Sequence, residues 1–249
     1  MKVAIITGGS RGIGKSAALN VAKRGTGVIL TYNSHQDEGE AVAAEIRKSG
    51  GKAAALKLDV TQTSSFRDFA GTIAQTLQKE WNRETFDFLV NNAGIAQRTP
   101  IKDTTEAQFD QLVNVHFKGP FFLTQELIPL MNDGGHIINI STGLTRFSYP
   151  GVATYASLKA AMEVFTVYLA KEFGHRKIRA NIVAPGAIAT QFGGGEKDDP
   201  QVRKMLSDVT ALGRVGEAED IGVLIAGLLS DDTRFVNAQR IEASGGIHI

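Results

Sequence analysis

Tyr155 and Lys159 are four residues apart, so on a helix both side chains lie on one face. Ser141 and Thr142 stand shortly upstream, and a Gly8-x-x-x-Gly12-x-Gly14 loop lies near the start of the chain. A glycine loop before a helix offers unpaired N–H groups and a partial positive charge, which suit a pyrophosphate. Tyr155 and Lys159 pair a phenol with an ammonium. A tyrosine with a pKa of about 10 is a poor acid–base catalyst near neutrality unless a cation favours its ionised form. Dinucleotide binding combined with a proton donor implies carbonyl–alcohol redox chemistry. Each half has an ordinary alternative, a packing turn in one case and a helix with one aromatic and one surface lysine in the other. Their occurrence together, in this order, outweighs both.

These residues need an α/β frame, and the chain supplies one. Apolar runs at Val3–Thr7, Val28–Tyr32, Ala53–Leu58, Phe86–Asn91, Gly135–Ser141, Arg179–Ala184 and Arg240–Ala243 have the length of strands. Between them, helical spacing predicts helices over Ile13–Arg24, Asp37–Ser49, Thr63–Trp81, Gln108–Met131, Thr154–Phe173, Pro200–Leu212 and Glu217–Leu229. Gly119-Pro120 should kink or split the fourth of these. Gly193–Pro200 is polar and glycine-rich and reads as a mobile loop. Strand–helix alternation predicts a parallel sheet covered on both faces.

The chain has 249 residues, no repeat and no linker, so a single unit over residues 1–249 is expected. At this length about 70–75% of the unfolded surface is buried on folding, enough for a core without staples. The absence of cysteine excludes disulfides, thiolate catalysis and cysteine-held zinc. A net charge of +1 offers no field to attract nucleic acid or an anionic membrane. The first apolar run is too short for a signal peptide, and no run approaches a membrane span, so a cytoplasmic protein is expected. His35, His116, His136, His175 and His248 show no ligand spacing, so no metal is expected.

Thr7-Gly8-Gly9-Ser10-Arg11-Gly12-Ile13-Gly14 resembles the T-G-x-x-x-G-I-G loop of the short-chain dehydrogenase/reductase family. Asn91-Asn92-Ala93-Gly94 resembles the family's N-N-A-G, Asn114 its catalytic asparagine, Tyr155-x-x-x-Lys159 its Y-x-x-x-K, and Pro185-Gly186 its P-G after strand six. The resemblance runs the length of the chain. It implies a Rossmann-like, doubly wound parallel sheet of about seven strands, a hydride transfer between a nicotinamide cofactor and a carbonyl or secondary alcohol, and a dimer or tetramer. Among family members, 3-oxoacyl-carrier-protein reductases and sugar dehydrogenases look most similar.

The resemblance also assigns roles. Tyr155 would be the general acid/base, and Lys159 would tune it and hold the nicotinamide ribose. Asn114 would hold a water leading to solvent. The cofactor would lie against Gly8, Ser10, Arg11, Gly12, Ile13, Gly14, Asp59, Val60, Asn91, Ala93, Gly94, Tyr155, Lys159, Pro185, Gly186, Ile188 and Thr190. Asp59 has an alternative as a turn cap. At the end of strand two an acid would hold the ribose 2′-hydroxyl of NAD. Here Tyr32, Asn33 and Ser34 stand instead, and Arg11 could meet a 2′-phosphate, so NADP(H) is expected rather than NAD(H).

The hydroxyl is the departure from the family pattern. Family serines lie about thirteen residues before the tyrosine, which here is Thr142, with Ser141 one residue earlier. Thr142 fits the spacing better; Ser141 would serve if the loop shifted by one. On a strand the two point to opposite faces, so one of them serves. Two rivals remain open: an NAD-dependent alcohol or sugar dehydrogenase, and a regulatory protein that binds NADP(H) without turnover. The substrate would meet Ile95–Pro100, Gly143–Gly151 and Gly193–Asp199; Arg98 and Arg146 could contact an anionic one, but read first as surface arginines.

Overall fold

β1 (Val3–Ile6) and β2 (Gly27–Tyr32) are buried at every position. Strands covered on both faces are apolar throughout rather than alternating, and both of these lie inside the sheet rather than at its edge. They are joined by β3 (Ala53–Lys57), β4 (Phe86–Asn91), β5 (Met131–Ile140), β6 (Arg179–Pro185) and, after the short pair β7 (Ile188–Ala189) and β8 (Gly216–Glu217), by β9 (Arg240–Ala243). The computed structural model describes residues 1–193 and 199–249. Residues 194–198 of the expected Gly193–Pro200 loop therefore lie outside the described residues.

The seven-stranded sheet has the order β3-β2-β1-β4-β5-β6-β9, and every pairing is parallel. The helices are α1 (Gly12–Lys23), α2 (Gln36–Lys48), α3 (Phe66–Trp81), α4 (Glu106–Val113), α5 (Gly119–Leu127), α6 (Ala153–Glu172), α7 (Pro200–Asp208) and α8 (Ala218–Leu228). Two apolar layers result. One joins Ala17 and Val21 of α1, Val42 of α2 and Ile221 and Ile225 of α8 to one face of the sheet. The other joins Ile73 and Leu77 of α3, Leu123 and Leu127 of α5 and Leu169 of α6 to the opposite face. Strand order reverses between β1 and β4, which opens a crevice at their carboxyl ends. Among the described residues no helix is long and apolar enough to cross a membrane.

The helix expected over Gln108–Met131 is four successive pieces. A capping box between Thr105 and Gln108 starts α4. A π-helical turn, Asn114–Lys118, then precedes α5, and a 3₁₀ turn, Ile128–Leu130, follows it. Pro120 sits in the first turn of α5, where its missing N–H costs no bond. The break therefore falls before Gly119-Pro120, in a wider turn of the kind that clusters at functional sites. Met131 opens β5 opposite Phe86, earlier than the expected Gly135, and a register shift between Phe86 and Phe88 absorbs the extra length.

Candidate active site

The glycine loop is shaped by close approach. Gly8 and Gly12 have φ of 64° and 55°, and a side chain at Gly14 would strike the Gly8 carbonyl and the Asn92 amide. Thr7 Oγ1 accepts from the N–H groups of Asn92 and Ala93, each at 3.0 Å. Asn92 Nδ2 donates to the carbonyls of Thr7 and Gly8 at 2.9 and 3.0 Å. The loops after β1 and β4 are thus pinned together. Arg11 occupies the N-cap of α1 in extended conformation with no side-chain cap, and no acid lies in the first turn. The helix N–H groups face the cleft without a built-in anion.

That cleft has a volume of roughly 1130 Å³ and runs from the loop to the end of β6. Gly8, Ser10, Arg11, Gly12, Ile13, Gly14, Tyr32, Asn33, Ser34, Asp59, Val60, Ala93, Gly94, Pro185, Gly186, Ile188 and Thr190 all line it, together with Ser141, Thr142, Tyr155 and Lys159. Asn91 and Asn114 do not. The side chain of Asn91 points between β5 and α5 instead, where Nδ2 donates to Thr124 Oγ1 at 3.1 Å and Asn139 Oδ1 at 2.9 Å. Strand alternation turns its neighbour Asn92 toward the cleft. Asn114 opens the π-helical turn that carries Val115 and His116 to the cleft wall. Asp59 Oδ1 accepts from both the backbone N–H and the hydroxyl of Thr61, so it caps its turn while lining the cleft. The Tyr32 ring is buried against Gly39, leaving Asn33, Ser34 and Arg11 exposed at the rim.

Tyr155 lies in the first turns of α6, with Lys159 one turn on. Lys159 is buried, donates from Nζ to the Ile140 carbonyl at 2.7 Å and sits 5.7 Å from the Tyr155 ring centre. Burial without a carboxylate partner pushes its ammonium down to about 8. Burial holds the Tyr155 phenol above its ordinary range, and the neighbouring Thr142 hydroxyl opposes that rise. In this arrangement the relief comes from Thr142 rather than from the lysine charge. The two hydroxyl alternatives separate here, since Ser141 Oγ is engaged by Glu163 Oε1, to which it donates at 2.6 Å, while Thr142 neighbours the Tyr155 phenol.

His116 carries no role in the sequence reading, yet it abuts Tyr155 edge to face at 5.0 Å. Its Nε2–H donates to the Ile95 carbonyl at 2.8 Å, and Nδ1 is buried without a partner. Burial and then the Lys159 charge lower its pKa to about 3, so it is neutral. Its place two residues after Asn114 is the signal that could have marked it.

Beyond Tyr155 the wall is largely apolar and aromatic, with Ile95, Leu144, Phe147, Tyr149, Phe192, Leu206 and Ile247, and its polar members include Gln191 and an Arg203 paired with Glu217 at 2.7 Å. Arg98 packs along Gly151 and does not line it. Arg146 is held bidentately by Glu242. Neither arginine is presented to an anionic substrate. Among the described residues no cluster of three or more His, Asp or Glu could hold a metal ion.

Comparison with known proteins matches this geometry. The family described as enoyl-(acyl carrier protein) reductase matches residues 8–248. The hydroxynaphthalene reductase-like protein Arp2 of Metarhizium brunneum is 35% identical over 257 residues, spanning 98% of this chain and 94% of its own. The promiscuous reductase LugOII, which catalyses keto-reduction at C1 during lugdunomycin biosynthesis, superposes with a TM-score of 0.95 at 34% identity, covering 100% of this chain and 98% of its own. The angucycline C-6 ketoreductase LanV, solved with bound NADP, does so with a TM-score of 0.94 at 34% identity, covering 99% and 95%.

Proposed function

The chain belongs to the short-chain dehydrogenase/reductase family of oxidoreductases, and on that footing we propose that it is an NADP(H)-dependent ketoreductase acting on a neutral, ring-borne carbonyl. The observation that carries this reading is the convergence of Thr142, Tyr155 and Lys159 at the inner end of the cleft that begins at the glycine loop.

The residues present fit a dinucleotide. The uncapped start of α1 suits the pyrophosphate, and the glycines leave room for it. Arg11, Asn33 and Ser34 offer a cation and hydrogen-bonding groups to a 2′-phosphate, with no carboxylate to repel it. LanV, at 34% identity, binds NADP, which supports the same cofactor here. When bound, the reduced nicotinamide supplies the hydride.

The protein's own residues do the rest. Thr142 donates its hydroxyl hydrogen bond to the substrate oxygen and so orients the carbonyl. Tyr155, kept protonated by burial, gives its proton to that oxygen as the C–O double bond becomes single, and the product is a secondary alcohol. The Lys159 ammonium stabilises the phenolate left behind. The aromatic wall excludes water and stacks on a flat substrate.

The wall favours an aryl or polycyclic ketone over a charged thioester, in keeping with the names of Arp2 and LanV. Purified protein with NADPH should reduce a bicyclic aryl ketone such as α-tetralone, followed by loss of NADPH absorbance. NADPH binding without turnover on aryl ketones would leave the regulatory reading, and turnover confined to acetoacetyl thioesters would remove the ring-ketone assignment.

A further inference from the structure

Two arginines outside the proposed chemistry form an alternating chain of charge, Arg146–Glu242–Arg240–Glu163. Glu163 lies on the same face of α6 as Tyr155 and Lys159, at successive four-residue steps. Its Oε1 accepts from Ser141 Oγ at 2.6 Å, Thr145 Oγ1 at 2.9 Å and Arg240 Nε at 2.9 Å. Arg240 also donates from Nη1 to Glu242 at 2.9 Å and from Nη2 to Thr145 Oγ1 at 3.1 Å and to the Thr142 carbonyl at 3.2 Å. The carbonyl of Thr142 is thus held by the cluster.

The other end of the chain reaches the substrate wall. Arg146 donates from Nη2 to the Ile247 carbonyl at 2.6 Å and from Nη1 to the His248 carbonyl at 2.9 Å. Its guanidinium lies 5.3 Å from the Phe147 ring centre. His248 packs 4.7 Å from Phe147 and meets the Tyr149 hydroxyl at 3.0 Å. The segment 245–249 is bonded on its far side to 209–212, through Ala211 N–H to Gly246, Leu212 N–H to Gly245 and His248 N–H to Val209. One short segment therefore joins the wall that follows α7 to the loop that follows β5.

We propose that Arg240 and Arg146 act as a clamp that couples the 245–249 segment of the substrate wall to the Thr142 hydroxyl, Arg240 positioning that hydroxyl and Arg146 setting the shape of the substrate chamber. The inference rests on the ketoreductase reading of the cleft. A guanidinium suits both places because its planar fork serves three or four acceptors at once, which an ammonium cannot do in fixed geometry. Each charge is flanked by opposite ones, and the side chains of Arg240, Glu163 and Glu242 are only 26%, 21% and 21% exposed. Removing Arg240 leaves the partly buried Glu163 without its cation, and removing Arg146 takes one of two cations from Glu242, so the loop shifts rather than merely loosening.

The test separates the two roles. Arg240→Met should lower kcat roughly 30-fold through misplacement of Thr142, while the dissociation constant for NADPH stays within about threefold. Arg146→Met should raise KM for the ketone roughly 10-fold and leave kcat within about threefold. Arg240→Lys should resemble Arg240→Met. If Arg240→Met does not fold, Thr145→Val removes one strut without a charge and should lower kcat by about threefold to tenfold. Hydrogen–deuterium exchange of the unliganded protein gives a readout free of turnover: exchange should quicken at 245–249 in Arg146→Met and at 141–146 in Arg240→Met. A lowered melting temperature with unchanged kcat and KM would make the cluster a stabilising staple and overturn the proposal. So would an equal loss in both constants for both variants, or unchanged exchange. A wild-type protein that reduces no ketone would instead defeat the ketoreductase reading, and the exchange pattern would still decide whether the clamp couples the two segments.

Discussion

Ser141 and Thr142 are neighbours directly after β5, yet their hydroxyls take different partners on α6: Ser141 Oγ donates to Glu163 at 2.6 Å, while Thr142 stands beside the Tyr155 phenol. Thr142→Val keeps the volume and removes the donor, so kcat should fall by roughly 10²–10³-fold, the loss typical of one oxyanion-hole donor. Thr142→Ser should keep most activity. Ser141→Ala should leave kcat within about threefold and act mainly on stability, by about 1.5–3 kcal/mol, since it removes one hydrogen bond to a carboxylate. Steady-state kinetics of the three variants checks this; a larger loss in Ser141→Ala than in Thr142→Val would reverse the assignment.

Tyr155→Phe removes the transferable proton while leaving the ring against His116. Turnover should fall by about 10²–10⁴-fold with NADPH binding retained. The cofactor affinity measured by fluorescence titration is the control, and turnover undiminished in this variant would exclude Tyr155 as the donor.

The pH profile should report Lys159 rather than Tyr155. The phenol is held above its ordinary range and remains protonated, whereas burial lowers the Lys159 ammonium to about 8. Below that value the lysine is charged and able to stabilise the developing phenolate. Above it the charge is lost, so kcat/KM for reduction should be level at neutral pH and decline as pH rises through about 8. Lys159→Arg, weak but always charged, should lack that limb. A profile flat to pH 10 in the wild-type protein would show that the ammonium is not lowered in the working enzyme.

The frame was legible because its signals are local and redundant. Glycine at positions 8, 12 and 14 and the covered strands β1 and β2 state the fold in spacing alone. That Thr142 rather than Ser141 neighbours Tyr155 was legible in the spacing of the two residues. What was not legible depends on contacts far apart in sequence. Asn91 looks like a cofactor ligand until its pairing opposite Asn139 shows its amide bound to that residue. The π-helical turn that carries His116 ends at Gly119, where any side chain would strike the Val60 carbonyl, an approach no helical periodicity encodes. Arg146 reads as a surface cation because Glu242, its partner, lies 96 residues away.

Cofactor preference should respond to Arg11. It is exposed at the rim of the cleft beside Asn33 and Ser34, and no carboxylate lies among these residues. Arg11→Ala should weaken NADPH by about 5–10-fold and NADH by less than about twofold, the difference being one charge-assisted contact to a 2′-phosphate. Equal weakening of both would place Arg11 at the pyrophosphate instead.

Acid stability should be set early by histidine. His136 is fully buried, donating from Nδ1 to the Leu228 carbonyl at 3.0 Å and accepting at Nε2 from Asn181 at 2.8 Å. Burial, then the charge of Arg179, lowers it to about 3, as burial and Lys159 lower His116. Unfolded, each imidazole takes up a proton near its ordinary value of about 6.5. The unfolded chain therefore binds more protons than the native one between pH 3 and 6.5, and stability contributed by these groups is complete above pH 6.5 and lost as pH falls. The decline should reach up to about 1.4 kcal/mol per pH unit for each histidine. Denaturant melts at pH 7.0, 6.0 and 5.0 should show it before the bulk of the carboxylates titrate. His116→Gln, which keeps a side-chain N–H for Ile95, should reduce the slope by one proton. A stability unchanged from pH 7 to 5 would mean that these two rings are open to protons in the native state.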